Sequence, residues 1–168
     1  ALCYVRLESA DNDLVLKHYS LDQKQKKSVR RFSSQFIGKK LSLDYKELDT
    51  DVLTDEKWLS FIIGQLLSNA IKYTDKGSVS IYMKPGTDRK ILCIADTGIG
   101  IDPADLPRIF DNGYTGLNGR YDMKASGIGL YLCRSTADML GITLTAVSEL
   151  GKGSVFMLDL TESDVRHE

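Results

Sequence analysis

The sequence predicts an α+β fold, a two-layer sandwich in which one layer of helices lies on a mixed, mostly antiparallel sheet. Three observations carry that expectation. Residues 55–73 carry apolar side chains on one helical stripe and 127–140 form a second helical segment, so each helix has one face to bury. Two pairs of β-rich runs, each joined by a short glycine-containing turn, read as hairpins and hence as antiparallel neighbours. One-faced helices and hairpins in a single chain are satisfied together when the helices pack on one face of the sheet.

The elements follow in order. Leu14–Ser20 is strand-like, and from 21 to 40 Leu21, Val29, Phe32 and Phe36 recur at near-helical spacing, with Ser20 or Asp22 able to cap the start. This predicts one amphipathic helix. Its basic run, Lys24, Lys26, Lys27, Arg30 and Arg31, is expected to be a solvated face rather than a ligand patch. Leu41–Tyr45 and Asp51–Thr54 read as short strands. A helix from about Asp55 to Tyr73 follows, with Leu59, Ile62, Ile63, Leu66, Leu67 and Ala70 as its core stripe and Gly77 closing the segment. Ser78–Met83 and Ile91–Ala95 form the first hairpin, around Pro85-Gly86. Asp102-Pro103 is expected to start a short helix through Phe110. Residues 111–126 hold Gly113, Gly116, Asn118 and Gly119 without apolar periodicity, which reads as a mobile loop. A helix over 127–140, stopped by Gly141, leads to a second hairpin, Ile142–Val147 and Ser154–Leu160, around Gly151-Lys-Gly153.

Composition narrows the function. At 168 residues the chain fits one domain with a proper core. With 22 basic against 23 acidic side chains it has no global field to favour nucleic acid or an anionic membrane, so any bound anion must be held locally. The three cysteines, Cys3, Cys93 and Cys133, are widely spaced and are expected to be buried free thiols. No run approaches the ~20 apolar residues of a membrane helix. The opening residues, Ala1 to Glu8, have no initiator methionine and read like the last turns of a helix, as expected of a piece cut from a longer protein. The expected division is a helical tail over 1–10, one folded domain over 11–162 and a polar tail over 163–168.

The chemistry lies in a set of polar and glycine-rich elements. Gln65, Asn69 and Lys72 recur at i, i+4 and i+7 and form one polar stripe beside the apolar one. The strand Ile91–Ala95 runs into Asp96-Thr-Gly-Ile-Gly100, a carboxylate at a strand end followed by glycines that let the backbone approach a flat ligand. In Ser126-Gly-Ile-Gly-Leu130 a glycine-rich loop opens a helix, where free N–H groups and the positive dipole end suit phosphate oxygens. Gly151-Lys-Gly-Ser154 precedes the last strand. Taken singly, each could be an ordinary surface stripe or turn; their occurrence together in this order is improbable by chance.

On those residues the chain resembles the nucleotide-binding domain shared by gyrase, the Hsp90 chaperones, MutL and the histidine kinases, the Bergerat ATP-binding fold. Asn69-Ala-Ile-Lys-Tyr73 resembles the kinases' N box, Asp96–Gly100 their first glycine box, Phe110 the F box, Ser126–Leu130 the second glycine box and Gly151–Phe156 the last. The resemblance implies that Asn69 gives its amide oxygen to a Mg²⁺ bridging the ATP phosphates, that Lys72 contacts a phosphate and that Tyr73 meets the adenine face. Asp96 would accept from the adenine amino group, which selects ATP over GTP. Gly98, Gly100 and Ile101 would shape the base pocket with Ser154 near it; Gly127, Ile128, Gly129 and Leu130 would hold the phosphate end. Residues 111–126 would be the lid, with Tyr114, Thr115, Gly116 and Arg120 facing the nucleotide and Arg120 a γ-phosphate contact. Gln65 stands where hydrolytic relatives carry a glutamate that activates water; a neutral amide cannot take that proton, so poor hydrolysis is implied.

The resemblance further implies a sensor histidine kinase whose γ-phosphoryl acceptor sits on an adjacent dimerisation domain, preceding residue 1, with relay to a response regulator. His18 and His167 lack an acceptor's helical setting. Ala125 stands in place of a glycine, and the lid reads Phe110-Asp-Asn-Gly-Tyr-Thr-Gly116. With Asn118-Gly-Arg120, it is similar to the short-sensor kinases of Gram-positive bacteria that work beside antimicrobial-peptide transporters, implying a homodimeric membrane protein with this domain in the cytoplasm and an ABC transporter as a possible companion. The alternatives are a hydrolytic ATPase or chaperone clamp of the same superfamily, which Gln65 argues against, and a non-catalytic binder of the anti-sigma type.

Overall fold

The computed structural model describes residues 14–114 and 128–162. The expected helical tail over 1–10, Cys3, the loop from Thr115 to Ser126 with Gly116 and Arg120, Gly127 and the 163–168 tail with His167 lie outside these residues. The described chain runs β1 (Lys17–Ser20), α1 (Leu21–Arg30), α2 (Ser33–Lys39), β2 (Ser42–Tyr45), β3 (Asp51–Thr54), α3 (Glu56–Lys72), β4 (Ser78–Met83), β5 (Ile91–Asp96), a 3-10 turn (Leu106–Arg108), α4 (Gly129–Leu140), β6 (Thr143–Glu149) and β7 (Gly153–Asp159).

The expected sandwich forms. A five-stranded sheet in the order β2-β4-β5-β7-β6 is antiparallel except for the β2–β4 pair, and β1 and β3 make a separate two-stranded antiparallel sheet. Alternation along the strands sends Val79, Ile81, Leu92, Ile94, Leu144, Phe156 and Leu158 to one face, where they are buried under α3 and α4. On α3, Leu59, Ile62, Ile63, Leu66 and Leu67 are at most 1% exposed. Burying each such side chain contributes roughly 1.5–3 kcal/mol over leaving it in water. Asp55 caps the start of α3 by accepting from Trp58 N (3.1 Å), and Lys39 Nζ donates to the Ile71 carbonyl (2.7 Å) at its end. The helix therefore stops at Lys72, ahead of Gly77.

Two expectations need correction. The single helix over 21–40 is two helices broken at residues 31–32: Ser33 Oγ donates to the Arg30 carbonyl (2.8 Å), a side-chain bond that competes with the helical ladder. The break leaves Phe36 in the core at 5% exposure and turns Ile37 out to solvent. The short helix over 102–110 reduces to the 3-10 turn. Asp102 Oδ1 accepts from Ala104 N (2.8 Å) in a local turn, and Pro103 and Pro107 supply no N–H to a helical ladder.

The basic run is the expected solvated face, with Lys24 paired to Glu56 (3.1 Å) and Lys26 to Asp22 (2.9 Å). Cys93 and Cys133 are buried free thiols, and burial pushes the Cys133 thiol up to about 12, which leaves it inert.

Asp22 ties α1 to the chain after β2. Burial alone would raise its carboxyl, but the Leu48 N–H, Lys26 and the Tyr45 hydroxyl outweigh that and hold it below the usual carboxylate range. A lowered folded pKa means the stabilisation is present above the ordinary aspartate value and is lost as pH falls through the folded one. Asp22→Ala leaves the Leu48 N–H without its acceptor and is expected to cost about 1–3 kcal/mol at neutral pH. Denaturant titration checks this, and the gap between variant and parent should close on acidification; a gap that widens contradicts the account.

Candidate functional site

The polar stripe of α3, the loop after β5, the start of α4 and the β6–β7 turn meet at one end of the sheet. Gln65, Asn69, Lys72 and Tyr73 occupy the last two turns of α3 and its cap, all half-buried. Asn69 is free to use its carboxamide: among the described residues nothing hydrogen-bonds it. Lys72 Nζ lies 5.4 Å from the centre of the Tyr73 ring, so the ammonium stays beside the aromatic face.

The loop Asp96–Gly100 is sewn to both neighbours. Ile99 N donates to the Tyr73 carbonyl (3.1 Å), and Gly151 N donates to the Ile99 carbonyl (2.7 Å). A side chain at Gly98 would collide with the Tyr73 carbonyl oxygen, so only glycine allows the loop to lie this close to the end of α3. Gly100 is buried and Ile101 packs on the core. Asp96 ends β5 opposite Ser154 on β7, and its Oδ1 accepts from Gly98 N (2.9 Å). Burial raises the Asp96 carboxyl above its ordinary value, opposed by the Gly98 and Ser154 backbone N–H groups.

At the opposite side, α4 begins at Gly129 against α3. A Cβ on Gly129 would stand 2.9 Å from Gln65 Oε1, so the Gln65 carboxamide abuts the helix start. Ile128 is exposed and Leu130 packs on the core. The N-terminal amides of α4 thus lie across from the α3 stripe, an arrangement suited to phosphate oxygens between them.

Phe110, expected in the ligand set, is half-buried and packs against two neighbours in the described structure. Its ring meets Phe156 edge to face (6.2 Å between centroids), and the Arg134 guanidinium covers it at 4.1 Å. Tyr114 donates its hydroxyl to the buried Asp105, with Arg108 4.3 Å from its ring centre. Both therefore anchor the start of the segment leading to α4. Thr115, Gly116, Arg120 and Gly127 lie outside the described residues.

Three contributors were not legible as site residues. Arg134 clamps Phe110 while donating to the Leu144 carbonyl (2.8 Å). Thr74 is fully buried beside Gly98, and its hydroxyl has no hydrogen-bond partner among the described residues. Ser148 accepts from Ile101 N (2.8 Å). Arg134 could have been sought as the single basic residue of α4; Ser148 lies within a hairpin strand and outside every glycine motif, and its contact with Ile101 spans 47 residues of chain, so it carries no sequence signal.

This fold and site define an ATP-binding domain of one superfamily. Residues 54–164 match the family described as histidine kinase-, DNA gyrase B-, and HSP90-like ATPase, and the chain belongs to that family. Among relatives it is 38% identical over 153 residues to the sensor protein BceS of Halalkalibacterium halodurans, covering 91% of this chain and 46% of that protein. It is 39% identical over 159 residues to the sensor protein kinase GraS of Staphylococcus aureus, covering 94% of this chain and 46% of the relative. The chain thus spans about half the length of the relatives it matches. Full-length ShkA in complex with AMPPNP superposes with a TM-score of 0.78 at 24% identity, over 96% of this chain and 35% of that one. The catalytic domain of histidine kinase ThkA gives 0.74 at 18%, over 88% and 95%. These two show the fold, and the relatives bear out the resemblance to sensor histidine kinases.

Proposed function

We propose that this chain is the catalytic domain of a sensor histidine kinase and moves the γ-phosphoryl group of ATP to a histidine on an adjacent helical dimerisation domain. The observation that carries the reading is the convergence of Gln65 and Gly129, Tyr73 and Gly98, and Asp96 and Ser154 at one end of the sheet. The imidazole nitrogen of the acceptor attacks the γ-phosphorus, the bond to the β–γ bridging oxygen breaks and ADP leaves.

In this reading Asp96 accepts from the adenine amino group, Gly98, Gly100, Ile101 and Ser154 enclose the base, and Tyr73 covers its face. Lys72, Arg120 and the Gly127–Leu130 segment hold the phosphates, with Tyr114, Thr115 and Gly116 part of the lid over them. Among the described residues no cluster of three His, Cys, Asp or Glu side chains is placed to hold a metal. A single neutral oxygen, that of Asn69, therefore fits a Mg²⁺ that arrives with its phosphates rather than a resident ion. When bound, that ion neutralises phosphate charge. Catalysis then rests on positioning and electrostatics, and Gln65, an amide, takes no proton from water.

The parent protein is proposed to be a homodimeric membrane sensor with this domain on the cytoplasmic side, residues 1–10 ending its dimerisation helix, and 11–162 forming the catalytic unit. A response regulator and an ABC transporter are its proposed partners. BceS and GraS, both named as sensor proteins, support this. Among the described residues no helix is long and apolar enough to cross a membrane.

Calorimetric titration with Mg-ATP and Mg-GTP tests the reading. ATP should bind at least about tenfold tighter, the size of one matched hydrogen bond, and equal affinities would overturn it. Because the ionised Asp96 is the acceptor and its carboxyl is raised, ATP affinity should fall on acidification at a higher pH than for an ordinary aspartate. The same shift gives the empty domain the opposite trend: its stabilising contribution is present below the ordinary aspartate value and is lost as pH rises through the folded pKa.

A further inference from the structure

Asp96, Ser154 and Ser148 occupy one rung across three adjacent strands: Asp96 faces Ser154 between β5 and β7, and Ser148 faces Ser154 between β7 and β6. Facing residues on antiparallel strands share a side of the sheet, and here it is the helix-covered side, since Ile94 and Phe156, two residues along, are buried there. Ser154 itself is 6% exposed.

Ser148 belongs to none of the glycine motifs, yet its hydroxyl makes three contacts. Ile101 N lies 2.8 Å from its Oγ, the Gly153 carbonyl oxygen 2.9 Å and Ser154 Oγ 2.8 Å. A serine hydroxyl has one hydrogen and two lone pairs. The Gly153 carbonyl can only accept, so it takes the Ser148 hydrogen. Ile101 N can only donate, so it takes one lone pair. The contact with Ser154 is a hydrogen bond only when Ser154 supplies the hydrogen. All three are satisfied in one arrangement, and in it Ser154 has spent its only proton on Ser148. What Ser154 Oγ then offers to a ligand is acceptor capacity alone. Beside it stands the Asp96 carboxylate, an acceptor too, with Gly98 N on its Oδ1 at 2.9 Å.

We propose that Ser148 is a positioning residue that sets base specificity: by fixing the Ser154 proton it leaves Asp96 and Ser154 as paired acceptors, matched to an exocyclic amino group and unable to donate to a carbonyl in its place. This rests on the adenine-binding reading of Asp96. A Ser154 hydroxyl released from Ser148 is free to turn and donate, and the penalty against a 6-oxo purine is then relieved.

The test compares ATP with inosine triphosphate, which carries an oxygen where adenine has its amino group, by calorimetry on the parent, Ser148→Ala and Ser148→Thr. The parent should prefer ATP. Ser148→Ala should shrink the ratio of the two dissociation constants about tenfold, the loss of one oriented hydrogen bond. Ser148→Thr, which keeps a hydroxyl with one hydrogen and two lone pairs, should retain the parental ratio. Equal loss of affinity for both nucleotides in Ser148→Ala, with the ratio unchanged, would mean that Ser148 only braces the Ile101 loop, and the proposal falls. A parent that binds both nucleotides equally overturns the Asp96 reading instead. Should Ser148→Ala fail to fold, Ser154→Ala decides: a shrunken ratio upholds the acceptor pair, and an unchanged one overturns it.

Discussion

Asn69→Ala is expected to weaken Mg-ATP binding by roughly a hundredfold, about 2.7 kcal/mol, while the domain stays folded. The side chain sits half-buried at the edge of the core, outside the apolar stripe of α3, and no described residue hydrogen-bonds its carboxamide, so truncation removes the oxygen proposed to meet the metal and little packing. Two controls separate this from general damage. Chelation should bring the parent close to the variant and leave the variant nearly unchanged, and the thermal midpoints should agree within a few degrees. Calorimetry that finds parent and variant equal removes Asn69 from the site.

The second large effect concerns the reaction. Incubated with γ-labelled ATP, this chain alone should remain unlabelled, because His18 lies on the short strand β1, paired with Leu53 of β3, and not on a helix beside an acid. Added in trans, the dimerisation hairpin of the parent should acquire an acid-labile, base-stable phosphohistidine. The rate should be low, since separate molecules lack the effective concentration that a tether provides, of the order of millimolar for short linkers. Asn69→Ala should abolish the label. Steady release of inorganic phosphate by the chain alone, or phosphoserine on the hairpin, would place the protein among the hydrolytic or protein-serine branches of the superfamily instead. Gln65→Glu is the informative companion: it puts a carboxylate where the amide now abuts Gly129, and measurable hydrolysis from it would show that the neutral side chain is what protects the γ-phosphoryl group from water.

What the sequence by itself determined was local and periodic. The apolar stripe of α3 announced its own buried face, because side chains three and four residues apart share one side of a helix whatever surrounds it. Both hairpins, β4–β5 and β6–β7, were written in adjacent runs and the turns between them, whereas the antiparallel β5–β7 pair that joins them was not. The Asp96 loop and the glycine start of α4 were visible because their glycines stand next to the residues they serve. The break between α1 and α2 was missed, since Ser33 bonding the Arg30 carbonyl competes on nearly equal terms with the helix it interrupts.

Tertiary structure alone decided what meets across the chain. That β2 lies parallel to β4, that Gln65 touches Gly129 and that Arg134 covers Phe110 depend on packing among segments far apart in sequence. Ser148 is the sharpest case. As a residue type it says nothing, and its neighbours in the chain do not change that. Only when the register of β5, β7 and β6 places it beside Ser154, with Ile101 N and the Gly153 carbonyl claiming its remaining capacity, does one proton acquire a direction. Periodicity in the sequence can specify which face of an element is buried; hydrogen-bond direction in a site is settled by the full set of donors and acceptors that folding brings within reach.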